Sequence, residues 1–569
     1  MTFGAPASDS LQCGRPDAFI PKIVTAWREG YTFARLRADA TAGLTVAIVA
    51  LPLSMALGIA SGASPDRGLI TAIVAGFLIS ALGGSRVQVG GPTGAFVVVI
   101  AGVIARHGYA GLVLATAIAG VLLIVAGYAG LGRLMRFVPM PVVTGFTAGI
   151  AVIIASSQIG DFLGLHASKV PADFLGKWKA YLEAIGTFSP DTLMIGAGSL
   201  ALILVLRRLS PRLPAYLIAI AAASLVVPML HLPVETVGLR FPDMPTALPA
   251  PAIPAFSLPM VQDVLPSAFT IAFLAGIEAL LSCVVADGMT GYKHRPGQEL
   301  VGQGVANLAS ALFGGLPATG AIARTATNIR AGAKTPLAGM FHAAFLLAIL
   351  SVTGSLVTYV PMAALAAILL IVAWGMSEID RFRMLLRMDA GERTLLLLTF
   401  GLTVLVDLTV AIGVGVTLAS LLFMARMSAA TDILAEDESL EDPTQRLALP
   451  EAVEVFRIAG PMFFGVAGEM LDALNRIGRR PRTVILRLDR VPYIDSSGLH
   501  MLESFVRQAA ARRVRVMLCD VRADVLRSLA RTSPPCAGAE IAASLAEAIT
   551  AAGFPTGSGA PHGDEISSR

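Results

Sequence analysis

Two stretches decide how this chain is read: Gly90-Gly91-Pro92-Thr93-Gly94-Ala95 and Gly314-Gly315-Leu316-Pro317-Ala318-Thr319-Gly320-Ala321. Both carry a Gly-Gly pair, a proline and Thr-Gly-Ala, and both stand at the mouth of an apolar segment. A second match follows in the same order, since Val138-Pro139-Met140 returns as Val360-Pro361-Met362. Thr93 and Thr319 are 226 residues apart and Pro139 and Pro361 are 222 apart, so the offsets nearly agree. Each match is weak alone; together they read as a duplication, the sequence sign of a transporter built from inverted repeats.

The composition around them is that of a membrane protein. Of 569 residues, 55% are hydrophobic and only 14% charged, with a mean hydropathy of +0.73; a globular domain carries roughly 25% charged residues. The deficit is confined to residues 40–425, beyond which charged residues return at globular density. Uncharged runs cover 40–65, 68–85, 87–105, 107–132, 137–160, 192–206, 213–234, 264–277, 300–323, 335–377, 394–406 and 408–425. The run 335–377 divides near Pro361 and 300–323 breaks at Gly314-Gly315-Leu316-Pro317, which gives about fourteen segments. The expected fold is an α-helical polytopic membrane protein with a 7+7 inverted repeat, followed by a small α/β domain. The expected boundaries are a cytoplasmic leader at 1–38, a transport domain at 39–426, a linker at 427–446, the α/β domain at 447–555 and a disordered tail at 556–569.

Lysine and arginine set the orientation. With the N-terminus inside, alternation through fourteen segments places Arg133/Arg136, Arg207/Arg208/Arg212, Lys293/Arg295, Arg330/Lys334, Arg381/Arg383/Arg387 and Arg426 on the inner side. The Pro-rich stretch 231–262, with Arg240 alone, falls outside; Lys169, Lys177 and Lys179 in the loop 161–190 go against the trend. Both termini are expected in the cytoplasm of a cell whose inner membrane holds the chain. An odd number of spans per half makes the two halves antiparallel.

Several classes are excluded. A net charge of +4 with no block of like charge gives no footprint for nucleic acid. Cys13, Cys283, Cys519 and Cys536 have no metal-ligand spacing and no disulfide framework. No removable signal peptide precedes the first apolar segment near Leu44. No P-loop or nucleophile motif appears, so neither an enzyme nor an ATP-driven pump is expected, and no cofactor or metal.

A helix over 92–105 spans roughly 21 Å, too short to cross, and 319–331 is similar. Half-helices that begin inside the membrane present free N–H groups and a positive dipole end, and two of them facing each other make an anion site. Thr93 and Thr319 stand where a hydroxyl caps the turn or meets the ligand; the alternative is two kinked helices at a packing contact. Glu278 and Arg324 lie inside apolar segments, where a charge pairs or faces a cavity. Arg324 follows Thr319 by little more than one helical turn, and Ser282 lies one turn beyond Glu278. The reading is that Arg324 attracts the anion and Glu278 is a protonatable group that compensates it; the alternative is a structural Glu278–Arg324 ion pair.

These residues carry a family resemblance. Leu51-Pro52-Leu53-Ser54-Met55, Gly91-Pro92-Thr93-Gly94 and the run from Asn307 to Gly339, with Phe313-Gly-Gly-Leu-Pro-Ala-Thr-Gly-Ala-Ile-Ala-Arg-Thr, resemble the SulP/SLC26 anion transporters over nearly the whole chain. Within the family, Gly276-Ile-Glu-Ala-Leu-Leu-Ser-Cys-Val-Val-Ala-Asp-Gly-Met-Thr-Gly-Tyr-Lys-His resembles the enterobacterial aerobic C4-dicarboxylate branch. The resemblance implies core and gate domains, each drawing helices from both repeats, with substrate between the third and tenth segments. By position it implies substrate contacts at Leu53, Leu57, Thr93, Gly94, Glu278, Ser282, Ala321, Ile322, Ala323 and Arg324, proton coupling through Glu278, and a homodimer in the lipid bilayer. Leu53 departs from the glutamine of many animal relatives. A sodium-coupled bicarbonate relative resembles the chain at Thr93 and Ser282 but has aspartate where Glu278 stands. Glutamate with arginine resembles the proton-coupled sulfate and dicarboxylate branches.

Beyond Arg426, the acidic stretch Asp432–Asp442 reads as a linker. Strands are expected at 453–458, 483–488 and 514–518, and helices at 465–477, after Asp495-Ser496-Ser497-Gly498, near 522–530 and at 539–552. This resembles the STAS domain, in which a serine of that loop is phosphorylated in soluble members and which docks cytosolic partners. Ser496 or Ser497 is then either a phosphosite or an N-cap. Besides a transporter, a passive channel and a membrane-anchored sensor fit the same pattern. Accumulation against a gradient separates the first from the second; survival of function without the C-terminal domain separates it from the third.

Overall fold

The computed structural model describes residues 19–553 apart from 134–138, 168–169, 172, 211–212, 243–246, 255–256, 407, 430–431, 436–451, 464–480 and 532–538. The expected helix at 465–477, Cys13, Cys536, Lys169, Arg136, Arg212, the leader up to residue 18, most of the linker and the tail lie outside the described residues. The chain divides into two compact units, Met1–Val416 and Thr417–Arg569.

The first unit is helical. α1 (Lys22–Arg28) precedes α2 (Phe33–Ala60), α3 (Pro65–Leu82), the two-residue strand β1 (Gly90–Gly91), α4 (Val97–Tyr128), α5 (Met140–Leu163), α6 (Phe174–Glu183), α7 (Pro190–Leu209), α8 (Ala215–Met229) and the single turn α9 (Val237–Arg240). The second half holds α10 (Leu258–Thr290), α11 (Pro296–Leu312), β2 (Thr319–Gly320), α12 (Ile322–Arg330), α13 (Leu337–Thr353), α14 (Met362–Met376), α15 (Ile379–Leu386) and α16 (Ala390–Leu405), and α17 (Leu408–Ala429) runs across the division at Val416. Among the described residues eight helices are long and apolar enough to cross a membrane, with α8 and most of α13 as shorter apolar helices. Fourteen segments result when α4 is divided at Gly108, whose φ of 67° interrupts it, and when α11, α12 and α16 are added.

The helices pack as two groups. α2, α3, α4, α10, α11, α12 and α13 contact one another, as do α5, α7, α8, α14 and α16, so each group draws on both halves of the sequence. Packing inside the first group is close because small residues meet: Gly120 and Gly304 face one another across α4 and α11, and a Cβ on either comes within 2.7 Å of the other's carbonyl oxygen.

Breaking a helix at membrane depth frees backbone groups that lipid cannot satisfy, so protein must. The break at 313–318 shows how. Asn307 on α11 donates from Nδ2 to the Ala318 carbonyl at 2.8 Å and accepts the Ala318 N–H at Oδ1 at 2.8 Å. Ser310 Oγ donates to Leu316 O at 2.6 Å, and Leu316 N donates to Thr71 Oγ1 at 2.7 Å. β1 and β2 then pair antiparallel, Gly90 with Gly320 and Gly91 with Thr319. At the far end of α12, buried Asp39 accepts the N–H groups of Lys334 and Thr335 at 2.7 and 3.1 Å, and the hydroxyls of Thr335 and Tyr31 at 2.6 and 3.0 Å.

The second unit carries a five-stranded sheet in the order β3-β4-β5-β6-β7, with β3 antiparallel and the rest parallel. β3 is Asp432–Ala435, β4 Val453–Ala459, β5 Thr483–Arg490, β6 Arg515–Cys519 and β7 Ala539–Ala542; α18 is Ser496–Ala511, α19 Ala523–Leu529 and α20 Leu545–Ala551. One face packs Val484, Leu486 and Leu518 against Leu502, Phe505 and Val525 of α18 and α19. The other packs Val455, Ile485 and Met517 against Ala548 of α20.

Two expectations are corrected here. Asp432–Ala435 pairs with β4, so the sheet begins inside the acidic stretch Asp432–Asp442 that was read as a linker. Ala539–Ala542 is a strand and the last helix starts only at Leu545, because Ser544 accepts the Glu547 N–H at 3.2 Å while the Glu547 carboxylate takes the Ala543 N–H at 2.7 Å. That Ser-x-x-Glu capping box was readable in the sequence. The helix after Asp495 is capped by Asp495 itself, whose Oδ1 accepts the Gly498 N–H at 2.7 Å; Ser496 and Ser497 are exposed and do not cap.

Asn307→Leu strands two buried groups of Ala318 and is expected to cost about 2–4 kcal/mol, read as a lower midpoint of thermal unfolding in detergent. In the second unit, burial raises the Asp489 carboxyl but the fork from Arg457, at 2.7 and 3.1 Å, outweighs it and leaves the group below its ordinary value of 3.8. The stabilisation is therefore complete above that value and lost as the pH falls through the lowered one. Asp489→Asn is expected to lose about 1 kcal/mol at pH 7 and nothing near pH 2, measured by thermal unfolding across pH.

Candidate anion site

The paired strands bring the two half-helix mouths face to face. After β1 the chain turns through a 3-10 segment, Gly94–Phe96, into α4, with Thr93 at the N-cap; after β2, Ala321 is the N-cap of α12. The structural counterpart of Thr93 is therefore Ala321, not Thr319. Neither threonine caps with its side chain. Thr93 Oγ1 donates to Glu278 Oε2 at 2.8 Å, and buried Thr319 Oγ1 donates to Ala275 O at 2.8 Å.

Arg324 crosses between the repeats. It is 2% exposed, and its guanidinium donates to the carbonyls of Gly90 and Pro92. Its Nε–H has no hydrogen-bond partner among the described residues. Glu278 lies beyond ion-pair distance among the described residues and accepts from Thr93, so the alternative of a direct Glu278–Arg324 pair does not hold. Gly91 makes room: its φ is 149°, and a Cβ there overlaps the Arg324 guanidinium. α12 is steadied along its length, with Asn328 Nδ2 donating to Val87 O at 2.8 Å and Thr325 Oγ1 accepting the Val89 N–H at 3.1 Å.

A cavity of about 400 Å3 opens at this crossing. Leu53, Leu57, Thr93, Gly94, Glu278, Ala321, Ile322, Ala323 and Arg324 all line it. Ser282 does not. It is fully buried and its hydroxyl donates to Thr325 Oγ1 at 3.1 Å, because one turn past Glu278 the face of α10 has rotated from the cavity onto α12. Ser282 thus ties α10 to Arg324's helix.

The wall also contains residues that sequence reasoning missed. Val46 and Val49 continue the face of Leu53 and Leu57 at helical spacing, a signal that was available. Thr147, Arg207, Tyr216, Met376 and Glu378 come from the other helix group, and no spacing announced them. Met376 Sδ closes on Gly94, where a Cβ would approach it to 2.5 Å.

Two groups of helices sharing both halves of a duplicated chain, around a cavity between two half-helix mouths, define a multi-pass membrane transporter. Residues 36–399 match the Sulfate permease family and residues 447–548 the STAS domain, and the chain belongs to that family of anion transporters rather than to any class of enzyme. It is 38% identical over 512 residues to "Putative sulfate transporter YvdB" of Bacillus subtilis, covering 89% of this chain and 95% of that protein. It is 31% identical over 519 residues to the bicarbonate transporter BicA of Picosynechococcus sp., covering 87% and 91%. The structure of the murine anion transporter Slc26a9 in the inward-facing state superposes with a TM-score of 0.84 at 16% identity, covering 96% of each chain, a likeness of fold.

Gly91→Ala is expected to destabilise the protein by about 2 kcal/mol or more, whereas Gly62→Ala, also at positive φ but with nothing within 4 Å, costs only about 1 kcal/mol. The difference between the two in thermal unfolding measures the contact with Arg324.

Proposed function

We propose that the chain is a secondary transporter that takes up a divalent anion, a C4-dicarboxylate or sulfate, together with protons by alternating access. The observation that carries this reading is Arg324, a buried guanidinium at a cavity that Glu278 of α10 also lines, the one carboxyl group of the lining with no ion-pair partner among the described residues. An anion in the cavity meets the two half-helix mouths and the free Nε–H of Arg324. A second negative charge there is repelled by ionised Glu278, so protonating Glu278 favours binding and carries a proton with the substrate. With Glu278 neutral and its oxygen still near Thr93, the site is set for a dianion. The two helix groups on either side of the cavity supply the moving parts, and both termini face the cytoplasm in this orientation. A homodimer, docking of a cytosolic protein by the STAS domain and phosphorylation at Ser496 or Ser497 belong to the same proposal.

The bicarbonate transporters 31% and 30% identical to the chain support a second reading, bicarbonate uptake, for which we propose sodium as the coupling ion. Proteoliposome uptake of succinate, fumarate, sulfate and bicarbonate, under a proton or a sodium gradient, separates the two. A proton gradient is expected to drive accumulation of a dianion; accumulation of bicarbonate under sodium alone overturns the proposal, and flux without accumulation identifies a channel. Glu278→Gln is expected to abolish proton-driven uptake while preserving anion exchange, and unchanged pH-dependent uptake contradicts the coupling role. Arg324→Ala is expected to weaken anion affinity by at least tenfold, roughly the 1.5–3 kcal/mol of a charge-assisted hydrogen bond.

A further inference from the structure

The cavity holds a second arginine, from the other helix group. Arg207 lies in the last turn of α7, and its guanidinium donates to the hydroxyl of Tyr216 while lying 4.7 Å over the centre of that ring. Tyr216 is in the first turn of α8 and is 8% exposed, so it is a fixed post. A cation at a helix C-terminus is favourable in itself, but Arg208 satisfies that preference equally and does not line the cavity. What singles out Arg207 is its charge balance: no carboxylate among the described residues pairs with it.

The other charged groups of the lining are accounted for. Glu378 is held by Arg381 at 3.0 and 3.1 Å, and Glu278 takes the Thr93 hydroxyl. With Glu278 protonated, the wall presents two uncompensated guanidiniums, one from each helix group. We infer that Arg207 is a specificity-determining residue that faces the second negative charge of the substrate and makes the cavity prefer dianions to monoanions. The inference rests on the proposed transport of a divalent anion. A monoanion is satisfied by Arg324 and the half-helix mouths; a dianion gains from a second cation, and by engaging both arginines it draws the two helix groups together. Tyr216 is a positioning residue, because stacking and its hydroxyl hold the guanidinium toward the cavity.

The test is proteoliposome uptake by the full chain, with KM and kcat measured for sulfate, succinate and bicarbonate. Arg207→Gln is expected to raise KM for sulfate or succinate tenfold or more, with bicarbonate KM within twofold. Arg207→Lys restores most of the dianion affinity, and Tyr216→Phe, which keeps the ring and loses the hydroxyl, raises dianion KM two- to threefold. An equal rise for bicarbonate and dianions, or no rise for either, overturns the inference. If Arg207→Gln does not fold, as read by thermal unfolding, Tyr216→Phe decides: a dianion-selective rise supports the inference and an unchanged KM overturns it. A native protein that carries dianions while Arg207→Gln leaves their KM unchanged overturns this inference alone. A native protein that carries bicarbonate and no dianion overturns the proposed function and this inference together.

Discussion

The transport unit depends on one arrangement: a buried guanidinium from the second repeat held by two carbonyls of the first. Arg324 donates to Gly90 and Pro92 across the seam where β1 and β2 pair. A buried arginine in an apolar protein is expensive unless its donors are matched. Two carbonyls are available here because the chain is not helical at this depth, and it is not helical because glycine and proline stop both segments. The break that opens the cavity also supplies the acceptors that make its charge tolerable.

That economy has a structural cost elsewhere. Every backbone group released by the two breaks needs a partner from protein, which explains a layer of buried polar side chains in an otherwise apolar bundle. Asn307, Ser310 and Thr71 close the approach to β2, Thr319 anchors the strand itself, and Thr325 and Asn328 tie α12 to the residues just before β1. Asp39 fixes the turn that follows α12. None of these groups reaches the cavity. Their work is to hold the mouths of two short helices within hydrogen-bonding reach of one another, and Ser282 belongs with them.

How much of this could be read beforehand follows from which signals are local. Broken apolar segments, the repeated Gly-Gly and proline, and two ionisable residues in apolar runs are local, and they led to Thr93, Glu278 and Arg324. The side of the helix on which Ser282 falls depends on how α10 sits against α12, which a one-turn spacing does not determine. Arg207 was readable only as one of several inner-loop charges, because its approach to the cavity is set by packing between the helix groups. In the second unit, the strand at Asp432–Ala435 was hidden by the acidic residues after it, since its partner β4 is recruited through tertiary pairing. The strand at Ala539–Ala542 was hidden by an alanine-rich composition that favours helix, and only the capping box at Ser544 marks the boundary.

The duplication leaves one further consequence. Measured by helix caps, Thr93 corresponds to Ala321, a spacing of 228 residues rather than the 226 of the aligned threonines. The two half-sites are thus equivalent in backbone and different in side chain. Both give a half-helix mouth, but the first places a hydroxyl at its cap and hands it to Glu278, whereas the second has alanine at its cap and an arginine three residues on. A symmetric pair of mouths binds an anion without distinguishing its charge. Dividing the hydroxyl, the carboxyl and the guanidinium unequally between the halves sets a fixed positive group opposite a carboxyl group across one cavity. That asymmetry, laid over a symmetric backbone, is what the proposed dependence of anion binding on a proton rests on.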